Sequence, residues 1–200
     1  MSVNSKKVFI GAPDQAVTGA ILEGPETDVI PETIDDFDWD DLTDSGYVNE
    51  DGVTITPSES TESIKDWSQT EIRRVLSEFT NSLAWTHLEL SVGALKAYFG
   101  DENVEVVEAT AAHGTQVRAA LAGKERPRKA RYFKIKDGER RMVIFAPHSQ
   151  ITERGEIPLS ATGAVTLPVT LATYPDAAGN SLYIYTDDGA RVSGGGTEGD

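Results

Sequence analysis

"TESIKDWSQTEIRRVLSEFT", residues 61–80, can be written as a helix or as a strand, and the fold class differs between the two. Ile64, Trp67, Ile72, Val75, Leu76 and Phe79 recur near the 3.6-residue period of a helix, and Thr61 is placed to cap one. A strand from about 70 to 80, paired with "LAWTHLEL" across a turn at Asn81-Ser82, accounts for the same residues. Pattern alone supports both, so the neighbouring segments carry the argument.

Upstream, Asp51-Gly52 stands between Tyr47-Val48 and Val53-Thr54-Ile55. Asp-Gly between strand formers signals a hairpin, because a type I′ turn needs positive φ at both central positions. The Pro/Ser/Thr-rich "TPSESTESIKDW" that follows has loop composition and reads as a crossing. Downstream, "RYFKIKDGERRMVIF", residues 131–145, sets Asp137-Gly138 between two strands, with Phe133 and Ile135 on one face and Lys134 and Lys136 on the other. Val165, Leu167, Val169 and Leu171 alternate cleanly, and a turn at Gly179-Asn180 leads to a strand over 182–186. Three hairpin signals make the chain mainly β. One short helix is expected at "SVGALKAYFG", about 91–99, with Ser91 as N-cap and Gly100 as the left-handed stop.

At 200 residues the chain fits a single domain, expected over 1–190, with 191–200 a flexible Gly-rich tail ending "SGGGTEGD". Within that domain, residues 23–45 hold two prolines, many acids and the apolar residues Val29, Ile30, Ile34, Phe37, Trp39 and Leu42. That mixture describes a long acidic arm with apolar anchors. The N-terminal stretch lacks the apolar run of a signal peptide, and no stretch approaches the length of a membrane span, so a soluble protein is expected. Without cysteine, disulfides and thiolate metal sites are excluded.

The formal charge of −15 argues against general adhesion to nucleic acid or to an anionic membrane. It is unevenly placed. Residues 8–64 hold fifteen Asp or Glu and no Lys or Arg, whereas residues 124–141 hold nine Lys or Arg against three acids. The acidic region can pair with the chain's own basic region or with that of a neighbouring copy, and the second arrangement makes a head-to-tail polymer.

Catalytic patterns are weak. His87, His113 and His148 are scattered without ligand spacing, and neither an HExxH nor a GxSxG motif is present, which leaves a Ser-His-Asp hydrolase without a motif. "DDFDWDD", residues 35–41, is the one run able to converge on a hard cation such as Ca²⁺. It lacks EF-hand spacing and reads as a solvated acidic arm. A Ca²⁺-dependent module binding carbohydrate or a host surface is the rival reading of this run. The basic window around Tyr132 and Phe133 has the composition of a nucleic-acid patch, but on so acidic a chain it reads as a hairpin with one solvated basic face.

"GYVNEDGVTITPSESTESIKDW", followed by "IRRVLSEFTNSLAWTHLELSVGALKAYFG" and "VTLPVTLATYPDAAGNSLYIYTDD", resembles the major tail proteins of long non-contractile-tailed phages, notably those of actinobacterial phages, over roughly residues 17–187. The resemblance implies an antiparallel β-sandwich or open barrel of the phage tail-tube type, with one short flanking helix and a long acidic arm. It implies a non-enzymatic virion protein, assembled in the host cytoplasm into stacked hexameric rings whose inner strands line a lumen. It further implies tape-measure, tail-tip and tail-terminator proteins as partners, and genomic DNA passing without specific binding. No cofactor is implied. On this resemblance the segment 70–90 is a strand pair and Trp67 ends a loop before it. The self-assembly candidates are Asp35, Asp36, Phe37, Trp39, Trp67, Arg128 and Arg131.

Overall fold

The ambiguous segment is strand. In a computed structural model, which describes residues 8–14 and 19–191, strand β3 (Thr54–Lys65) and strand β4 (Glu71–His87) pair antiparallel along the whole length of β3. The helical look of 72–79 has a physical source. Register shifts opposite Ser60/Thr61 and Ile64/Lys65 leave Ser77 and Ile72 as extra residues in β4. Thr61 opposes Leu76 and Glu59 opposes Phe79, so Leu76 and Phe79 share a face although they are three apart in sequence. A bulged strand thereby imitates the spacing of a helix.

Two expectations are corrected here. No turn interrupts Asn81-Ser82, and β4 runs through both residues with β3, not "LAWTHLEL", as its partner. "TPSESTESIK" is strand, not a crossing, because on a ribbon with water on both faces Ser, Thr and Glu lose no hydration. Pro57 is tolerated there because β3 is an edge strand. Gly52 does turn the chain, with φ of +66°, but its flanks pair with β4 instead of each other: Val48 bridges His87 and Thr54 opposes Ala84.

The remaining strands are β1 (Ile21–Pro25), β2 (Thr43–Asp44), β5 (Val104–Val107), β6 (Gln116–Ala119), β7 (Lys129–Asp137), β8 (Arg140–Arg154), β9 (Leu167–Thr173) and β10 (Tyr183–Asp187). The main sheet runs β2-β1-β7-β8-β9-β4-β3 with β10 also on β8, and β5-β6 forms a separate two-stranded ribbon. The Asp137-Gly138 hairpin between β7 and β8 is present, with Gly138 at φ +64°. The alternation of 167–173 is fully realised, odd positions buried and even positions half-buried. Its expected hairpin with 182–186 is not formed, since β9 and β10 both lie along β8. Residues 141–145 of β8 pair with β10 and residues 149–154 pair with β9, so this one long strand serves both halves of an open, unclosed sandwich.

Helix α1 (Val92–Phe99) lies where it was expected, capped by Ser91 Oγ accepting from Ala94 N at 3.1 Å and ended at Gly100 with φ +96°. Gly93 lets it approach β2, for a Cβ there would stand 2.2 Å from the Asp44 carbonyl oxygen. The main core holds Leu83, Trp85, Phe133, Ile144, Val169 and Leu171 under α1. A second cluster of Phe37, Ala130, Val143 and Phe145 fills the opposite face of the β7/β8 half. The expected C-terminal tail lies outside the described residues.

Candidate assembly surface

The β3–β4 hairpin outruns the core. From Thr56 to Thr80 every residue is exposed except Val75, which is half-buried. A two-stranded ribbon is at best marginal in water by itself. This one also carries Ile64, Trp67, Ile72, Leu76 and Phe79 about half or more exposed. Register places Phe79 and Leu76 on the same face as the buried Leu83 and the half-buried Ile55, so the core-facing stripe continues outward past its own core. The reverse face is formed by Thr54, Thr56, Ser58, Ser60 and Glu62 opposite Ala84, Ser82, Thr80, Glu78 and Val75. It is rich in hydroxyls, carries Glu62 and Glu78, and ends toward the tip at Ile64 opposite Arg73. Among the described residues, β3 pairs on one side alone, which leaves a twelve-residue open edge.

At the far end, residues 66–70 form a closely held turn. Asp66 N donates to Thr70 O at 2.9 Å, and the Asp66 carboxylate accepts from Ser68 Oγ at 2.7 Å and Thr70 N at 2.9 Å. Those bonds, Ser68 first, lower the Asp66 pKa. Trp67 projects from this turn fully exposed. It sits at a hairpin tip, not in a loop leading to a strand.

The acidic arm folds onto its own chain. Phe37 is buried, stacked on Trp39 at 5.3 Å and edge-on to Tyr185 at 4.9 Å and Phe145 at 5.5 Å. Asp35 pairs with Arg141 at 2.9 Å, and Arg141 also holds Asp187 at 2.6 Å. Asp36 accepts from Thr33 N and Oγ1, and His148 bridges Glu26 and Asp28. Part of the charge split is therefore satisfied within the chain. Of the candidates named from sequence, Phe37 and Trp39 come together with Asp35 and Asp36 close by, Trp67 is alone at the hairpin tip, and Arg128 lies 4.0 Å over the Tyr174 ring.

Arg131 is buried. Its guanidinium donates to Glu23 Oε2 at 3.1 Å and Ser149 Oγ at 3.1 Å, while Lys129 Nζ holds the other Glu23 oxygen at 2.7 Å. Burial lowers the Arg131 pKa, with the adjacent Glu23 opposing that shift. Nearby, the Trp85 indole N–H donates to His87 Nε2 at 2.9 Å, and His87 Nδ1 faces the Ser45 carbonyl at 3.3 Å. Burial pushes the His87 pKa down to about 4, against the Ser45 bond and the charge of Glu23, with Arg131 adding to the fall. Composition did not reveal these pairings, because Glu23 and Arg131 are 108 residues apart.

Among the described residues no group of three or more His, Cys, Asp or Glu is placed to hold a metal ion, and no helix is long and apolar enough to cross a membrane. The surface residues that sequence reasoning did not single out are Leu76 and Phe79, which form an exposed apolar stripe. Their signal was a three-residue spacing within a strand, legible only once the bulges are known.

The chain matches the family described as phage tail tube protein over residues 1–193. No curated protein matches it. It belongs to the phage tail tube protein family, and its role is structural, in the virion tail, and not enzymatic.

Proposed function

We propose that this tail tube protein self-assembles into stacked hexameric rings that form a negatively charged conduit for the phage genome. The observation that carries the proposal is the hairpin from Thr54 to His87, whose outer half has an open edge and an apolar stripe that no described residue covers. A second copy supplies both. Its strand adds along β3, and its body covers Phe79 and Leu76. Around a ring, such additions close a sheet and abolish its edges.

The face of this hairpin carrying Thr54, Thr56, Ser58, Ser60, Glu62, Glu78 and Thr80 then lines the lumen. Hydroxyls and carboxylates there hydrate a passing duplex without attracting its phosphates. Tape-measure protein fills this lumen before ejection, and tail-tip and terminator proteins cap the two ends. The arm candidates Asp35, Asp36, Phe37 and Trp39 act in assembly by holding the 26–42 segment down as a shaped surface, Trp67 and Arg128 offer side chains to a neighbour, and Arg131 acts from inside the subunit through its buried pair with Glu23.

Free subunits stay soluble and weakly associated at low concentration, since the hairpin gains its partner only on docking. Electron microscopy of concentrated protein, with and without tail-tip or tape-measure partners, tests the proposal. Rings or tubes are the expected outcome. Monodisperse particles under every condition contradict it.

A further inference from the structure

We propose that Trp67, at the tip of the hairpin, docks in the cleft at the root of the same hairpin on a second copy of the chain, so that the contact repeats head to tail. The proposal rests on the self-assembly reading above and adds the receptor and its chemistry. Trp67 is a preorganised anchor, because the bonds of Asp66 to Ser68 and Thr70 hold the turn while the ring touches water alone. Large aromatics on rigid presentation lose little entropy on burial and dominate interfaces.

The cleft has a volume of about 310 Å³ and is lined by Ala84, Pro168 and Val169 together with Asp51, Glu153 and Arg154. A buried indole needs apolar walls and one acceptor for its N–H, and the two carboxylates supply the acceptor. Arg154, whose guanidinium lies 5.9 Å from the centre of the Tyr98 ring of its own chain, also lines the cleft. Its Nη1 is buried and has no hydrogen-bond partner, and its Nη2 reaches the Ala122 carbonyl at only 3.4 Å.

Charge agrees with this pairing. Among the described residues, Asp51 and Glu153 beside the cleft form no ion pair within the chain, and neither do Lys65 and Arg73 beside the tip. Against these stand Arg154 in the cleft and Asp66 in the turn, whose carboxylate is taken up by Ser68 and Thr70, so two acids at the receptor and two bases at the anchor remain for one another. The contact cannot form within one chain. The twelve residues of β3 separate tip from root by roughly 36 Å at the usual rise per residue. Tip-to-root docking is therefore heterologous, and it sets a repeat of about that length along the axis of a stack.

The chain contains no cysteine, so placed cysteines report one contact each. Assembled protein carrying Thr70→Cys, which keeps the backbone bonds of Thr70 to Asp66, with Thr54→Cys, oxidised, is expected to give a covalent ladder of oligomers on a non-reducing gel. Thr70→Cys with Lys124→Cys, which probes the larger cleft of about 580 Å³ beside Gly100–Asn103, is expected to give none. Trp67→Ala should leave the far-ultraviolet circular dichroism of the subunit unchanged and raise the concentration needed for assembly at least tenfold. Lys65→Glu should weaken assembly, and adding Glu153→Lys should restore it.

A ladder from the Lys124 pair alone, tubes from Trp67→Ala at wild-type concentration, or wild-type tubes without the Thr54 crosslink would each overturn the docking site while leaving self-assembly intact. Wild-type protein that never associates overturns self-assembly itself, and this proposal with it.

Discussion

His87 shows how a single buried residue fixes a working pH range. Its Nε2 must stay unprotonated to accept the Trp85 indole N–H, and burial pushes its pKa down to about 4 from an ordinary 6.5. The unfolded chain thus takes up the proton first as pH falls. The stability His87 supports is complete above about pH 6.5 and declines toward pH 4, by about 3 kcal/mol in total. Denaturant unfolding of the wild type and of His87→Gln across pH 7.5 to 4.5 checks this, since the amide keeps an acceptor and does not titrate. Parallel pH profiles would contradict it. Phe37 fixes the arm in a similar way through four aromatic neighbours. Phe37→Ala should cost about 3–5 kcal/mol and expose residues 26–42 to limited proteolysis, whereas an unchanged digestion pattern would show that the acidic run is held by its ion pairs.

Among the elements, the hairpin differs from the rest because its outer half contributes almost nothing to the chain's own core. Leu76→Ser and Phe79→Ser together should therefore leave the unfolding midpoint nearly unchanged and abolish tube formation in electron micrographs. A large loss of subunit stability would place these side chains in the fold instead of in assembly. The same element marks where sequence reading succeeded and where it failed. The β7–β8 hairpin, the alternation of β9 and the caps of α1 were legible because each is written in local chemistry: Asp137-Gly138, a period of two, and Ser91 with Gly100. The bulges at Ile72 and Ser77 are set by register against β3, which no local pattern encodes, and they turned a strand's spacing into a helix's. Turns at Gly52 and Gly179 were legible as turns, but which strand each flank pairs with depends on β4 and β8 far away in sequence. Of the candidate surface, Trp67 was visible as an isolated aromatic in a polar run. The burial of Arg131 against Glu23 was not.

At the scale of the whole molecule, the charge of −15 and the one-sided pairing of β3 describe a subunit that avoids chance adhesion and yet carries an unfinished edge. Under the self-assembly proposed above, that edge is where a neighbouring copy adds. In the free subunit the backbone amides of Ser58–Lys65 belong to an exposed ribbon, so they exchange hydrogen rapidly compared with the amides of β7 and β8. Addition of a neighbour's strand changes this. Amide hydrogen exchange over Ser58–Lys65, measured on free subunits and on assembled protein, tests the central claim most directly. The account predicts that these amides become as protected in the assembled state as those of the central strands. Rapid exchange persisting there after assembly would contradict it.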